Sequence, residues 1–464
     1  MRKIYSLLLL GAFMLLGAQS LWAECNFYEA YLKYTNNGVE GNKSYSKDDS
    51  KTTSKNVALG TLAGDFKLTE LYLKAYDNWG VGTAYDNGAM RYKIDNGDVS
   101  NFTSFSRTVK GYDGLYEFQN NNVNLLIGSV SGASGNHTLE IWFLLHCNTD
   151  DFDSWVNNGG DNYKITYTIL PPAVSGFAVG HSDDDVIAGN GTELDPYVIR
   201  YNGSLKLTAT GSQAHSDANS SLQAKYGDDA YSTTTKTISN ITSAGSVTVK
   251  GKYYNSTASL SGAESGEITV YYTIAHTLTI TTAGWASLYL PFAAIVPENA
   301  NVYYAKSSDK HDSYVTLTAI SVGNTIPSGE GFIVKDGQYD GTSSHSYNFV
   351  LSGSAAETVS DNILTGTASS IETPSGAYVL SGATTIDNCV FAPFNGANLA
   401  AYKAYIPAGS VSAPTLRFII EEENNTTSID AIDANEKAVK FLQNGQLFIK
   451  KNGIVYDMTG RIVK

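Results

Sequence analysis

Residues Leu139–Cys147 read LEIWFLLHC, and their order decides the fold. Leu139, Ile141, Phe143, Leu145 and Cys147 share one side of a period-two pattern, with Glu140, Trp142 and His146 on the other. In an extended chain successive side chains point to opposite faces, so this stretch is a strand with one face in a core and one outside. The alternation returns in Lys164–Leu170, Ser204–Ala209, Ser246–Lys250, Glu267–Ile274 and Thr277–Thr281. Between such stretches stand pairs such as Asn87-Gly88, Asn96-Gly97, Asp113-Gly114, Asn202-Gly203, Asn444-Gly445 and Asn452-Gly453. Asn, Asp and Gly tolerate the positive φ of tight hairpin turns. No helical period is sustained beyond the N-terminal segment, and the short strands have sandwich-like spacing. The sequence predicts an all-β chain.

Composition agrees. Tyr (31) and Gly (43) are abundant while charged residues make up 16%, a balance suited to strands and turns on an extracellular surface. Arg2 and Lys3 precede an apolar run, Leu7–Leu16, and the small residue Ala23. This is the layout of a secretory signal peptide over 1–23, too short for a spanning helix of about 20 apolar residues. The expected destination is secretion or the cell surface, associated with the outer membrane, with no span crossing it. Two of the 31 basic residues lie in that leader, so the remainder sets 29 against 45 acids, a net charge of −16. So acidic a body is the wrong footprint for nucleic acid.

The roughly 440 residues after the leader exceed what one core normally holds. Tyr163–Leu170 runs into Pro171-Pro172, a stiff connector, and Glu267–Ile274 is expected to end a second domain before Thr277. Residues 421–427, EEENNTT, read as a polar linker. The expected domains are 24–170, 171–276 and 277–421, three tandem β-sandwich or Ig-like modules. A linker, 422–436, and a small β-hairpin module, 437–464, follow.

Several segments carry a resemblance. Gly284–Phe292 (GWASLYLPF), Thr325–Pro327 with Gly329–Val334 (GEGFIV), Ala377–Leu380 and Ala404–Pro407 together resemble a β-rich module of Bacteroidales surface proteins, over nearly all of 277–421. Gly189–Tyr197 (GNGTELDPY) looks like the Ig-like modules of the same proteins, and 24–170 like another of their β-sandwiches. Asn444–Ile449 and Val455–Val463 resemble the C-terminal sorting domains of type IX secretion cargo. That tail is expected to form three short strands, with six basic residues against the single acid Asp457. Full sorting domains usually continue past the Gly-Arg turn with another strand pair, whereas this chain has Gly460-Arg461 just before Lys464. None of these resemblances implies a reaction.

Catalytic motifs are missing from the sequence: no HExxH, nucleophile elbow, Walker loop, paired CxxC or EF-hand pattern occurs. The seven histidines are scattered, and only His181 has acids at both ligand-like offsets, Asp183 at i+2 and Asp185 at i+4. The expectation is a protein that is not an enzyme and needs no cofactor. Calcium takes about six or more oxygens, and the spaced acids Asp150, Asp151 and Asp153 are its candidate ligands; otherwise they are solvated loop residues. In an exported chain Cys25 and Cys147, near the first and last strands of the first domain, are candidate disulfide partners, and Cys389 reads as a buried thiol.

Aromatic residues carry the remaining functional signal. Sugar rings stack on Trp while amides and carboxylates catch their hydroxyls. Trp142 alternates away from the apolar face, Trp79 lies in a turn-rich segment with Tyr76 and Tyr85, and Trp155 is expected in a polar loop beside the first acidic cluster. Trp285 and Tyr289 read as packing. The expected function is non-enzymatic binding outside the cell, of a glycan or a surface protein, with glycan bound through the first module. The alternative is a structural spacer or adhesin of the envelope with no small ligand, and a third is an inactive accessory subunit of an enzyme.

Overall fold

The computed structural model describes residues 25–46, 56–77, 85–102, 106–110, 115–147, 152–182, 184–307, 313–381, 389–410, 413–421, 439–443, 446–451, 454–457 and 461–463. The leader and the polar linker lie outside them. No α-helix occurs among the described residues, and one 3-10 turn, Asn158–Gly160, interrupts the strands. The fold is all-β.

The first module contains β1 (Cys25–Asn36), β2 (Val39–Ser46), β3 (Val57–Thr61), β4 (Phe66–Asp77), β5 (Tyr85–Ile94), β6 (Ser100–Phe102), β7 (Ser106–Lys110), β8 (Leu115–Asn120), β9 (Leu125–Gly128), β10 (Gly135–Cys147), β11 (Phe152–Val156) and β12 (Tyr163–Ile169). One sheet has the order β2-β1-β4-β8-β7, with β9 also on β4. The other has the order β3-β12-β10-β5-β6, with β11 also on β10. Leu139, Ile141 and Phe143 of β10 join one buried cluster with Ala30, Leu32, Leu73 and Phe118 of the facing sheet. Burial of that odd-numbered set pins the register, because a slip of one residue would turn every apolar side chain outward.

Asn87-Gly88, predicted as a hairpin turn, lies inside β5, where Gly88 pairs with Leu145. A Cβ there would stand 2.9 Å from the Phe118 ring, so the glycine lets the two sheets approach. Asn202 does make the predicted turn, with φ +63. Cys25 opens β1 in one sheet, opposite Asp77, and Cys147 closes β10 in the other, opposite Tyr85. The side chains that would form their disulfide lie outside the described residues. Cys389 is a buried free thiol.

The chain divides into two compact units, Met1–Tyr272 and Thr273–Lys464. The first also holds the second module, where Val174–His181, Gly203–Gln213 and Thr235–Ile241 form one sheet. Gly245–Asn255 pairs with Ser221–Tyr226 on one side and with residues 268–272 on the other. The strands predicted to end at Ile274 and restart at Thr277 are a single strand, Ile268–Ile280. The intervening Ala275-His276 contains nothing that breaks a β backbone, and Ala275–Ile280 pairs within the second unit with His345–Val350.

In the second unit Trp285–Tyr289, Gly331–Asp336, Ala300–Ser307, Tyr314–Ile320 and Arg417–Ile420 form a five-stranded sheet. Thr365–Thr367, Lys403–Ile406, Tyr378–Ser381 and Val390–Pro393 form a four-stranded one. Trp285, Leu317, Ile333, Phe391, Ile406 and Leu416 share their core. In the tail, Val439–Gln443, Gln446–Lys451 and Ile454–Asp457 pair in sequence, and Ile462–Val463 adds a fourth strand to the predicted three. The Gly-Arg segment thus precedes one further short pairing, Val455 with Val463 and Tyr456 with Ile462.

Candidate functional site

Alternation along β10 decides which side chains reach the outer face of its sheet. Trp142 is partly exposed there and stands opposite Arg91 of β5. One cross-strand pair away, Glu140 stands opposite Lys93 on one side and Lys164 of β12 on the other. The Lys93 ammonium lies 3.3 Å from Glu140 Oε2, and the Asn162 amide donates to that same oxygen at 3.0 Å. Neighbouring positions on one sheet face are about 5–7 Å apart, so an indole, a guanidinium, a carboxylate and an amide share one small area.

The other predicted residues do not join it. Trp155 and Asp153, expected in a loop, lie on β11, where Trp155 pairs with Leu144 and Asp153 with His146. Phe152, Ser154 and Val156 alternate with them, and this short period is enough to hydrogen-bond to the end of β10. Their side chains, together with all of Trp79, Asp150 and Asp151, lie outside the described residues. Near His181, Asp185 accepts hydrogen bonds from the Ser204 N–H at 2.9 Å and the Ser204 hydroxyl at 3.2 Å, bracing the Asn202-Gly203 turn. His181 itself meets the Tyr197 ring edge-on at 4.5 Å. Among the described residues no three His, Cys, Asp or Glu side chains converge in a way that could hold a metal.

Sequence reasoning missed a buried polar knot at the root of β10. Ser134, 2% exposed, donates its N–H to Asp217 Oδ1 at 3.2 Å. Its carbonyl accepts from the amides of Asn255 at 2.8 Å and Asn219 at 3.2 Å, and its hydroxyl oxygen lies 3.0 Å from the Asn255 amide. Gln213 closes the ring, accepting from Asp217 N–H at 2.8 Å and donating to Asp217 O at 2.7 Å. Burial pushes the Asp217 carboxyl up, but hydrogen bonds from Ser134, Asn219 and Ser220 outweigh it and hold the group below the usual carboxylate range. Ser134 belongs to the first module and every partner to the second. The connector is packed as well, since a Cβ on Gly262 would stand 2.7 Å from Pro172 O and 2.8 Å from Pro171 O.

The second unit holds a cavity of about 370 Å³. Trp285, Ala286, Val379, Leu380, Phe394 and Leu399 give it apolar walls, and Thr279, Thr281, Ser287, Asn398 and Lys403 the polar ones. Trp285 packs against Tyr303 and Phe418 with ring centroids 5.9 and 5.4 Å apart, as its packing role requires, and also borders this space. Burial lowers the Lys403 ammonium below the ordinary lysine range. His276, with its ring 4.6 Å from that of Tyr402, is lowered to about 4, first by burial and then by the charge on Lys403.

The molecule is therefore an assembly of tandem β-sandwich modules, antiparallel apart from the pairings of β3 with β12 and of Tyr314–Ile320 with Arg417–Ile420. No family model and no curated protein matches the chain. Among solved structures, the fibronectin(III)-like modules of Clostridium thermocellum CbhA align at 9% identity and a TM-score of 0.16, covering 47% of this chain and 90% of that one. The FN1–FN3 domains of chicken CNTN1 align at 12% identity and a TM-score of 0.18, covering 60% and 94%. EC1–3 of mouse clustered PcdhgC3 aligns at 12% identity and a TM-score of 0.21, covering 55% and 79%. No functional property follows from likenesses this slight.

His276 gives a direct check on the second unit. The folded state favours its neutral form, so its contribution to stability is complete above pH 6.5 and is lost as pH falls from 6.5 towards 4. The full loss is on the order of 3 kcal/mol. An NMR titration of the His276 ring protons in the full chain should give a midpoint near 4, and a midpoint near 6.5 would contradict its burial.

Proposed function

We propose that this chain is an exported, non-enzymatic adhesion or structural protein of the cell surface, whose first two modules act as one stiff piece. The observation that carries this reading is the knot around Ser134, which couples the root of β10 to three residues of the second module. A linker that only tethered the modules would leave Ser134 to water. The leader-like N-terminus, the strand-rich weakly charged composition and the basic tail support export, with the tail as the address. Among the described residues no helix is long and apolar enough to cross a membrane. Asn255→Ala strips the knot of an amide that contacts both the carbonyl and the hydroxyl of Ser134, and should destabilise the unit by about 1–3 kcal/mol. Calorimetry of the full chain should show the first two modules melting together in the parent and separately, or at lower temperature, in the variant. An unchanged melt would remove the lock from the argument.

A second reading concerns what the stiff piece carries. The outer face of β10 places Trp142 beside Glu140 and opposite Arg91, with the Asn162 amide bonded to Glu140, a set suited to stacking on and hydrogen-bonding a sugar. We therefore assign glycan binding to this face. A glycan array probed with the full chain should give hits that Trp142→Ala weakens at least tenfold. Hits that survive the substitution, or a blank array, would leave the structural reading standing alone.

A further inference from the structure

The cavity beside Lys403 has the wrong charge to be empty space. Among the described residues it is lined by an ammonium, three hydroxyl side chains and an amide, and by no Asp or Glu, although the chain carries a net charge of −14. Among the described residues no carboxylate offsets the burial that lowers the Lys403 ammonium. A cation withdrawn from water is costly unless a negative group faces it, and its neighbour His276 can offer only further positive charge. Volume narrows the answer. About 370 Å³ lies at the lower end of the range for small-molecule sites, about 300–1,000 Å³. The apolar walls around Trp285 would be poorly matched to a bare inorganic anion, and Ser287, Thr279, Thr281 and Asn398 suit a ligand rich in hydroxyls.

We propose that this cavity binds a small organic carboxylate on a hydroxylated body, the chemistry of an acidic sugar, with Lys403 as the partner of its negative charge. The site belongs to the second unit and rests on no part of the reading of Trp142. The ligand would supply the counter-charge that the described residues do not, so empty and filled forms should differ in stability.

The test uses the full chain with defined probes: glucuronate against glucose, and benzoate against benzamide, each followed by saturation-transfer NMR and calorimetric titration. At least one carboxylate should bind, its neutral counterpart at least tenfold more weakly, and Lys403→Gln should reduce carboxylate binding tenfold or more. Failure of both carboxylates, equal binding of the neutral partners, or indifference to Lys403→Gln would each overturn the proposal. A ligand-free measurement stands beside it. If Lys403 has no partner, Lys403→Met should raise the melting temperature of the unliganded chain by about 2–4 °C. A fall would mean that the chain itself balances that charge, and the proposal would fail.

Discussion

The contact on which the first unit depends is the hydrogen-bonded burial of Ser134. Its N–H and its carbonyl are the kind of groups that a protein interior does not leave unmatched, and their partners lie 83 to 121 positions further along the chain. If the modules parted, water would replace these bonds, so the network adds little net energy for its size. Its effect is on orientation. A docking angle that displaced Asn255 or Asp217 would bury a peptide group or an ionised carboxylate without its partner, and each such loss costs about 1–3 kcal/mol or more. This arrangement pairs the Ser134 N–H and carbonyl while leaving Asp217 Oδ2 buried without a partner, and docking angles that lose the paired groups too are penalised. Because Ser134 leads directly into β10, the strand that bears Trp142 is held by the same knot.

Much of this fold was legible because a half-buried strand writes its geometry into its sequence. Leu139, Ile141 and Phe143 are all fully buried, as their alternation requires, and Trp142 lies on the other face. Two of the misread elements share a cause: a local signal was overruled by a distant partner. Asn87-Gly88 has the composition of a turn, but Gly88 is needed because Phe118 of the opposite sheet packs onto it. Phe152–Val156 has the polarity of a loop, yet the free edge of β10 recruits it as a strand. Residues 274–277 gave no reason to separate two strands beyond a change in pattern, and the backbone runs straight through them.

Site residues divided along the same line. The face around Trp142 could be read because one strand supplies its centre and alternation fixes its direction. The Ser134 knot could not, since a Ser and an Asn in a chain rich in both carry no mark of burial. The Lys403 cavity was equally silent. Its walls come from Thr279, Trp285, Asn398 and Lys403, brought together by the packing of separate strands, and no spacing rule links them. Trp285 was recognisable as a core residue, but nothing local says that it also borders a space.

Hydrogen exchange of the Ser134 amide reports whether the first two modules are locked together there. In the full chain that N–H should be protected as strongly as the core amides of β10, because it donates to a buried carboxylate of the second module. Exchange at the rate of an open loop, while β10 itself stays protected, would mean that the modules move independently and that Ser134 locks nothing.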